Sequence, residues 1–130
     1  MTKEFTLGKS ERLKSRKLID ELFNEGRSFV QAPFRVYYKL SETGKPGLQF
    51  GVGVSTKNFK KAVDRNRVKR QMREAYRLQK NPLSKAIDST SRQLNLFLIY
   101  TGKELPNYQD VYAKTGKILN RLIDIAIPKT

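Results

Sequence analysis

A chain of 130 residues is long enough for one domain with a buried core, and its 27 Lys and Arg residues against 12 acidic residues give a net charge of +15. A charge of this size indicates a polyanionic partner, and nucleic acid is favoured over a membrane surface because the charge is spread across a folded-looking chain with no lipid-anchor motif. The absence of cysteine and histidine excludes disulfides, thiolate metal sites and histidine acid–base catalysis.

The first predicted element is a helix over residues 16–25. Ser15 is a suitable N-cap, and Gly26 is a suitable residue to end the helix. We expect residues 1–14 to be loosely held. The helix carries one apolar stripe, for which packing against the core is the main expectation: Leu18, Ile19, Leu22 and Phe23.

Two strands are predicted next, over residues 28–40 and 48–55, and the turn-forming residues 41–47 between them predict a hairpin. Pro33 favours an edge position or a late start for the first strand. Gly51 and Gly53 leave one face of the second strand bare, which indicates a bulge, a closely packed helix, or the close approach of a backbone or ligand. In the first strand, the period of two places Phe34, Val36, Tyr38 and Leu40 on one face and Arg35, Tyr37 and Lys39 on the other.

The most basic stretch of the chain runs from residue 57 to residue 80. It contains ten Lys and Arg residues and two acidic residues, a net +8 of the +15 of the whole chain. We predict a loop over residues 56–61 and then a helix over residues 62–79, which Asn81-Pro82 ends. A helical projection separates an apolar stripe (Val68, Met72 and Ala75) from a cationic arc that lies apart from Asp64 and Glu74, so we expect the cations to be unpaired along the helix. The arc consists of Arg65, Asn66, Lys69, Arg70, Arg73 and Arg77, with Arg67 to one side.

The rest of the chain predicts one more strand and one more helix. Residues 83–92 form a polar connection that we assign to no element. Residues 94–100 are apolar on both faces, which is typical of a central strand, and residues 108–125 form a last helix with Asn107 as N-cap. The predicted order is αββαβα, an α+β fold in which a two-layer α/β sandwich contains a βαβ crossover. We expect residues 1–130 to form a single RNA-binding domain with a loose C-terminal tail.

The chemistry that these residues allow favours binding over catalysis. The acidic residues form no cluster that could hold two metal ions for phosphodiester cleavage, so we expect no catalytic residue in this chain. Arginines contact phosphates in a bidentate manner, and Asn66 can bridge to a base edge or to a phosphate-bound metal. The sequence has neither an apolar signal segment nor a run long enough to span a bilayer, so we expect a cytoplasmic protein with no membrane contact.

The run Ala62-Val63-x-Arg65-Asn66-Arg67-x-Lys69-Arg70-x-x-Arg73-Glu74 resembles the signature of the bacterial ribonuclease P protein subunit. The resemblance covers most of residues 10–80 and extends outward in the same order. It includes Leu13-Lys14, a short helix with Phe23 and Gly26, a strand with Phe34 and Tyr37, and Gly51-Val52-x-Val54-Ser55.

The resemblance implies a protein that binds a catalytic RNA and the single-stranded 5′ leader of precursor tRNA, whose removal the RNA catalyses with bound magnesium ions. It also implies a left-handed βαβ crossover, as in a domain of ribosomal proteins, and no need for a protein oligomer. The RNA-binding residues by position are Arg65, Asn66, Arg67, Lys69, Arg70 and Arg73, together with Lys57 and Lys61 in the preceding loop. Those of the leader cleft are Phe23, Tyr37, Arg35 and Ile19.

The chain departs from the family pattern at three places. Residues 55–61 lack the usual Gly and are one residue longer, Ile19 replaces a common aromatic residue, and the last strand ends in Tyr100-Thr101 where an Ala-Arg pair is common. Two other hypotheses stay open: a ribosomal-type or general RNA-binding module without a processing role, and a free-standing metal nuclease. An aromatic cleft beside the basic helix distinguishes the processing subunit from the general module.

Overall fold

The computed structural model describes residues 11–127, and within this range the chain forms four helices and four strands. The helices are α1 (Arg16–Glu25), α2 (Ala62–Gln79), α3 (Asn81–Asp88) and α4 (Tyr108–Ala126). The strands are β1 (Arg27–Gln31), β2 (Phe34–Glu42), β3 (Gly47–Val54) and β4 (Arg92–Tyr100). The order is therefore αβββααβα, which adds one strand and one helix to the predicted αββαβα.

The four strands form one mixed sheet in the order β1-β2-β4-β3. The pairs β1–β2 and β2–β4 are antiparallel, whereas β3 and β4 are parallel neighbours. The chain passes from β3 to β4 through α2 and α3, so the predicted α+β fold with a βαβ crossover is confirmed. Ser15 and Asn107 cap α1 and α4 through their side chains, also as predicted.

Two predictions about the strands were wrong. Residues 28–40 form two strands instead of one, because Pro33 lacks an N–H for the ladder and β2 begins only after it, at Phe34. The late start that Pro33 predicted is thus correct. The hairpin of residues 28–40 with 48–55 does not exist, because β4 lies between β2 and β3. A strand that is apolar on both faces is most stable inside the sheet, and this preference separates the two sequence neighbours.

Helix α3 lies in the segment that we left unassigned. Its buried residues are Leu83 and Ile87, which are four positions apart and so lie on one face of a helix. Pro82 occupies the first turn of α3, where a proline is tolerated because its missing N–H has no helical partner. The same proline ends α2 and begins α3, and the polar residues around it obscured this short helix.

The two faces of the sheet have different neighbours. On one face, Phe34, Val36 and alternate residues of β4 form the hydrophobic core with α2, α3 and α4, and the ring of Phe50 stacks on that of Tyr76 at 3.7 Å. On the other face lies α1, whose Glu21 accepts a hydrogen bond from Lys39 of β2 at 2.7 Å. Helix α1 therefore covers the face that carries Arg35, Tyr37 and Lys39.

The chain before α1 is fixed against the sheet. The backbone N–H of Leu13 donates to the carbonyl of Phe50 at 2.9 Å, and the Leu13 side chain is buried. Glu11 forms an ion pair with Lys80 at 2.5 Å. The expectation of a loose N-terminal segment is therefore wrong for residues 11–14, because a buried side chain and an ion pair hold them. The rest of that expectation, on residues 1–10, and the expectation of a loose tail at residues 128–130 lie outside the described residues.

Candidate nucleic-acid interface

Helix α2 has a buried side and a cationic side. Val68, Met72 and Ala75 are buried as predicted, and Tyr76 extends this stripe. On the other side, arginines surround an open cavity of about 400 Å³. Five of its lining residues come from α2 and one comes from the segment before α1: Asn66, Arg70, Arg73, Glu74 and Arg77, with Arg12.

Arg12 belongs to this surface although no sequence pattern indicated it. A bridge between the backbones of Arg12 and Phe50 brings Arg12 to the edge of β3, beside Arg73. Burial, and next the neighbouring charge of Arg12, lower the pKa of Arg73. Two guanidinium groups on one cavity favour an anion, because an anion relieves their mutual repulsion. No local pattern reveals such a pair, since the two residues are far apart in the chain.

Glu74 interrupts the cationic side, which corrects the projection from sequence. Its carboxylate forms an ion pair with Arg77, whose Nε lies 3.1 Å from Oε2, and it lines the same cavity as Arg70 and Arg73. The expectation that Glu74 falls away from the arc and that the cations are unpaired is therefore wrong. A projection places Cα atoms only, whereas the long side chains of residues three positions apart reach each other.

Arg65 supports the loop before α2. Its Nη1 donates to the carbonyls of Phe59 and Lys60, both at 2.8 Å. The loop is also fixed at its other side, where Asn58 donates to the carbonyls of Thr101 and Gly102 at 3.1 and 3.3 Å. These contacts hold the loop against the first turn of α2. The other predicted RNA-binding residues lie in this loop and along α2. Lys57, Lys61, Asn66, Arg67, Arg70 and Arg73 are exposed, and Lys69 is half-buried.

An aromatic surface lies on the opposite face of the sheet, and it consists of Phe23, Tyr37 and Phe97. The Phe23 ring lies 4.8 Å from that of Tyr37 and 5.4 Å from that of Phe97. Phe23 is 41% exposed, so core packing does not account for it, and Leu22 is the fully buried member of the α1 stripe. The structure thus places Phe23 and Tyr37, the two aromatic residues assigned to the leader cleft, side by side. Phe97 was missed because an apolar residue on either face of a central strand gives no sign of a separate surface.

Phe97 also explains the bare face of β3. A Cβ atom added at Gly51 meets a Phe97 ring carbon at 2.7 Å, and one added at Gly53 meets another at 3.0 Å. The ring therefore lies across both glycines. Of the alternatives that the glycines left open, the close approach of a backbone holds at Gly51, where an added Cβ atom also meets the carbonyl oxygen of Leu13 at 3.1 Å. The approach of a side chain was not among the alternatives.

Helix α1 is anchored by one lysine. Lys39 donates to Glu21 at 2.7 Å and to Glu25 at 3.3 Å. The hydrogen bond to Lys39 lowers the pKa of Glu21, and the same bond raises the pKa of Lys39. The three side chains fix α1 at the position that brings Phe23 over Tyr37. The two other predicted cleft residues are Ile19, which is half-buried on α1, and Arg35, which is exposed on β2.

The aromatic surface and the cationic side of α2 meet at the edge of β3. A second cavity of about 100 Å³ is lined by Arg12, Lys14, Gly51 and Arg73. Gly51 also contacts Phe97, so this one glycine borders both surfaces. The arrangement that would favour a general module, with Phe23 and Tyr37 buried away from the basic face, is therefore not the one found in residues 11–127.

The donors around Asn66 suit a phosphate better than a bare cation. The cavity offers the Asn66 amide and the Glu74 carboxylate, and the latter already pairs with Arg77 among further arginines. Over residues 11–127, no group of three or more acidic, His or Cys side chains could hold a metal ion. In the same range no helix is both long and apolar enough to cross a membrane.

A family model and the sequences of known proteins point to the same protein family. The family model for ribonuclease P matches residues 7–123 of this chain. The ribonuclease P protein component of Porphyromonas gingivalis is 40% identical over 119 residues, which cover 91% of this chain and 87% of that protein. That of Chlorobium phaeobacteroides is 30% identical over 128 residues, which cover 90% of this chain and 88% of that protein.

Solved structures agree with these sequence matches. The ribonuclease P protein of Thermotoga maritima is 26% identical, with a TM-score of 0.66 over 85% of this chain and 96% of that one. The protein of Staphylococcus aureus has a TM-score of 0.67 over 88% of this chain and 96% of that one. Its identity of 19% supports a shared fold alone.

Proposed function

The chain belongs to the ribonuclease P protein family, and on that premise we propose that it is the subunit that binds the catalytic RNA and the 5′ leader of precursor tRNA. The observation that carries the proposal is the continuity of two surfaces of different chemistry at the edge of β3. The cationic side suits phosphates, and the aromatic surface suits unpaired bases. A single strand that extends from a folded RNA, as a 5′ leader does, is bound best by a protein that has both a cationic surface and an aromatic surface.

The catalytic RNA is assigned to the cationic side. Guanidinium groups bind phosphates in a bidentate manner, and each neutralised phosphate releases counterions, so affinity depends steeply on salt. With about six such contacts, affinity should fall roughly a thousandfold between 50 and 200 mM salt. The residues assigned to this contact are Arg65, Asn66, Arg67, Lys69, Arg70, Arg73, Lys57 and Lys61.

The leader is assigned to the aromatic surface and its surroundings. Every nucleobase has a π-face, so stacking binds an unpaired strand with little dependence on its sequence. Lys39 keeps α1, and therefore Phe23, in place through its bonds to Glu21 and Glu25. The residues assigned to this contact are Phe23, Tyr37, Arg35 and Ile19.

This chain binds and orients, and the chemistry belongs to the RNA. Magnesium ions held by the RNA supply the Lewis acid and the activated water for leader cleavage. Neutralisation of phosphates by α2 lowers the repulsion between the two RNAs, so less magnesium is needed in solution. We assign the protein to the cytoplasm, as a single domain that acts without a protein oligomer.

The test is cleavage of precursor tRNA by the cognate RNA at low magnesium, with and without the protein. We expect the protein to restore cleavage that the RNA alone loses at low magnesium. Failure to restore it contradicts the proposal. If the protein instead binds precursor and mature tRNA equally well and restores nothing, a general RNA-binding function is favoured, since the cationic side alone suits any structured RNA. Cleavage by the protein without the RNA would mean a nuclease.

A further inference from the structure

Phe97 is held in an unusual position on the sheet. Its ring atoms Cδ2 and Cε2 lie over Gly51, and Cε1 and Cζ lie over Gly53, so that a Cβ atom at either glycine meets the ring at 3.0 Å or less. The ring therefore leans from β4 across β3, and only two glycines in alternate positions leave room for it. A phenylalanine that merely filled the core would point to the other face, where Leu96 and Leu98 are fully buried.

We propose that Phe97 is a base-stacking residue that binds one unpaired nucleobase, in addition to the contacts made by Phe23 and Tyr37. The Phe97 ring is half-buried, so part of it is open to solvent. Phe23 meets it with the two ring planes at 88° and the ring centroids 5.4 Å apart, an edge-to-face contact and not a parallel stack. Tyr37 is its cross-strand neighbour, so the three rings form one surface, and each ring is of the kind on which an unpaired base stacks.

The surroundings of Gly51 give the bound nucleotide a place for its phosphate. Gly51 borders the cavity lined by Arg12, Lys14 and Arg73, at the edge of β3. A nucleotide stacked on Phe97 is therefore close to cations on the side away from Tyr37. On this proposal the RNA strand runs from the Phe23–Tyr37 contact, over Phe97, and across β3 to Arg73. The ligand class is single-stranded RNA, and this inference rests on the proposed leader-binding function.

The experiment is a set of precursor RNAs in which an abasic nucleotide replaces one leader position at a time. Binding to the complex of the protein with its cognate RNA is measured for the wild type and for Phe97→Leu. We expect the wild type to lose about tenfold in affinity at one position where Phe97→Leu loses nothing, since the stacking partner is already absent. We expect a second leader position, whose base stacks on Phe23, to be sensitive to abasic replacement. This sensitivity should remain in Phe97→Leu and disappear in Phe23→Ala.

Two variants are controls for indirect effects. Phe97→Tyr keeps the aromatic ring, so we expect it to give the same abasic profile as the wild type. If the effect of Phe97→Leu came from altered packing and not from loss of the ring, Phe97→Tyr should change the profile as well. Tyr112→Leu removes a 40% exposed ring on α4, on the other side of the sheet, and should change no position. A general loss of folding would lower binding at every position alike, including that of a leaderless tRNA.

The outcomes separate this inference from the proposed function. Equal abasic profiles for Phe97→Leu and the wild type overturn the stacking role of Phe97, even if Phe23→Ala still changes one position and leader binding stands. If the wild type itself binds precursors with and without a leader equally, the proposed leader binding fails. A loss that spreads over all positions in Phe97→Leu also overturns the inference, because it makes Phe97 a structural residue only.

Discussion

The ion pair between Lys80 and Glu11 offers a sharp test of how the interface is built. Lys80 is 4% exposed and lies at the junction of α2 and α3, and Glu11 is 31% exposed. Replacement by methionine, Lys80→Met, keeps the length of the side chain and removes its charge. Removal of one partner from a fully buried pair costs about 3–5 kcal/mol. Because the Glu11 carboxylate can reach water, we expect a smaller loss in the free energy of unfolding, about 1–2 kcal/mol.

The functional consequence of Lys80→Met follows from the residue next to Glu11. The segment is held by the ion pair and by the hydrogen bond from Leu13 to Phe50, among other contacts. Loss of the ion pair should loosen the segment and weaken the placement of the Arg12 side chain beside Arg73. The protein should then make one phosphate contact fewer, and the slope of log affinity against log salt should become shallower by about 0.7–0.9.

The assay is a double-mutant cycle with Arg12→Ala, measured as RNA affinity over a range of salt concentrations. If Lys80 acts through Arg12, Lys80→Met should change neither affinity nor slope once Arg12 is absent. Lys85→Met, which removes an exposed lysine from α3, controls for the loss of one positive charge. Additive losses in the double variant refute the reasoning, since Lys80 would then act on RNA binding independently of Arg12.

Three further predictions concern the rest of the interface. Glu74→Gln removes a negative charge from the lining of the cationic cavity and should strengthen RNA binding severalfold at low salt, and a titration at 50 mM and 200 mM salt checks this. Gly51→Ala places a Cβ atom 2.7 Å from the Phe97 ring, so chemical denaturation should give a loss of about 1–3 kcal/mol, and leader binding should weaken more than tRNA binding. The pKa of Glu21 is lowered in the folded state, so its stabilising contribution is present above the ordinary value of 4.5 and lost as the pH falls through the lowered pKa. Glu21→Gln should therefore flatten the acid limb of a stability–pH curve, and an unchanged limb contradicts the role of this pair.

Local patterns predicted the parts of the fold that depend on one element. The buried stripe of α2 and the caps of α1 and α4 follow from spacing and from short side chains at fixed positions, so the sequence was sufficient. The alternation in β2 likewise placed Tyr37 opposite the core. The split of residues 28–40 was less accessible, because Pro33 signals a break without saying whether the strand before it pairs with the strand after it.

The contacts that the sequence missed are all between distant residues. The place of β4 between β2 and β3 depends on the whole sheet, and the position of Phe97 over Gly51 depends on that order. The two glycines nevertheless gave a signal, because bare positions in alternation require something large nearby. For Arg12 no signal existed, since one arginine in a basic segment gives no information about its neighbour in space.

The approach of Arg12 to Arg73 is more than a consequence of a high net charge. Like charges on mobile side chains ordinarily move apart, yet here the backbone of Arg12 is bridged to Phe50 and the preceding residue is tied to Lys80. The fold thus holds two guanidinium groups on one cavity although burial and repulsion both disfavour the charge on Arg73. Such an arrangement destabilises the free protein slightly and favours any state in which an anion occupies the cavity. Binding of a phosphate there removes the repulsion in the same step that forms the contact, so the segment before α1 contributes to affinity through a geometry that is already in place before the RNA arrives.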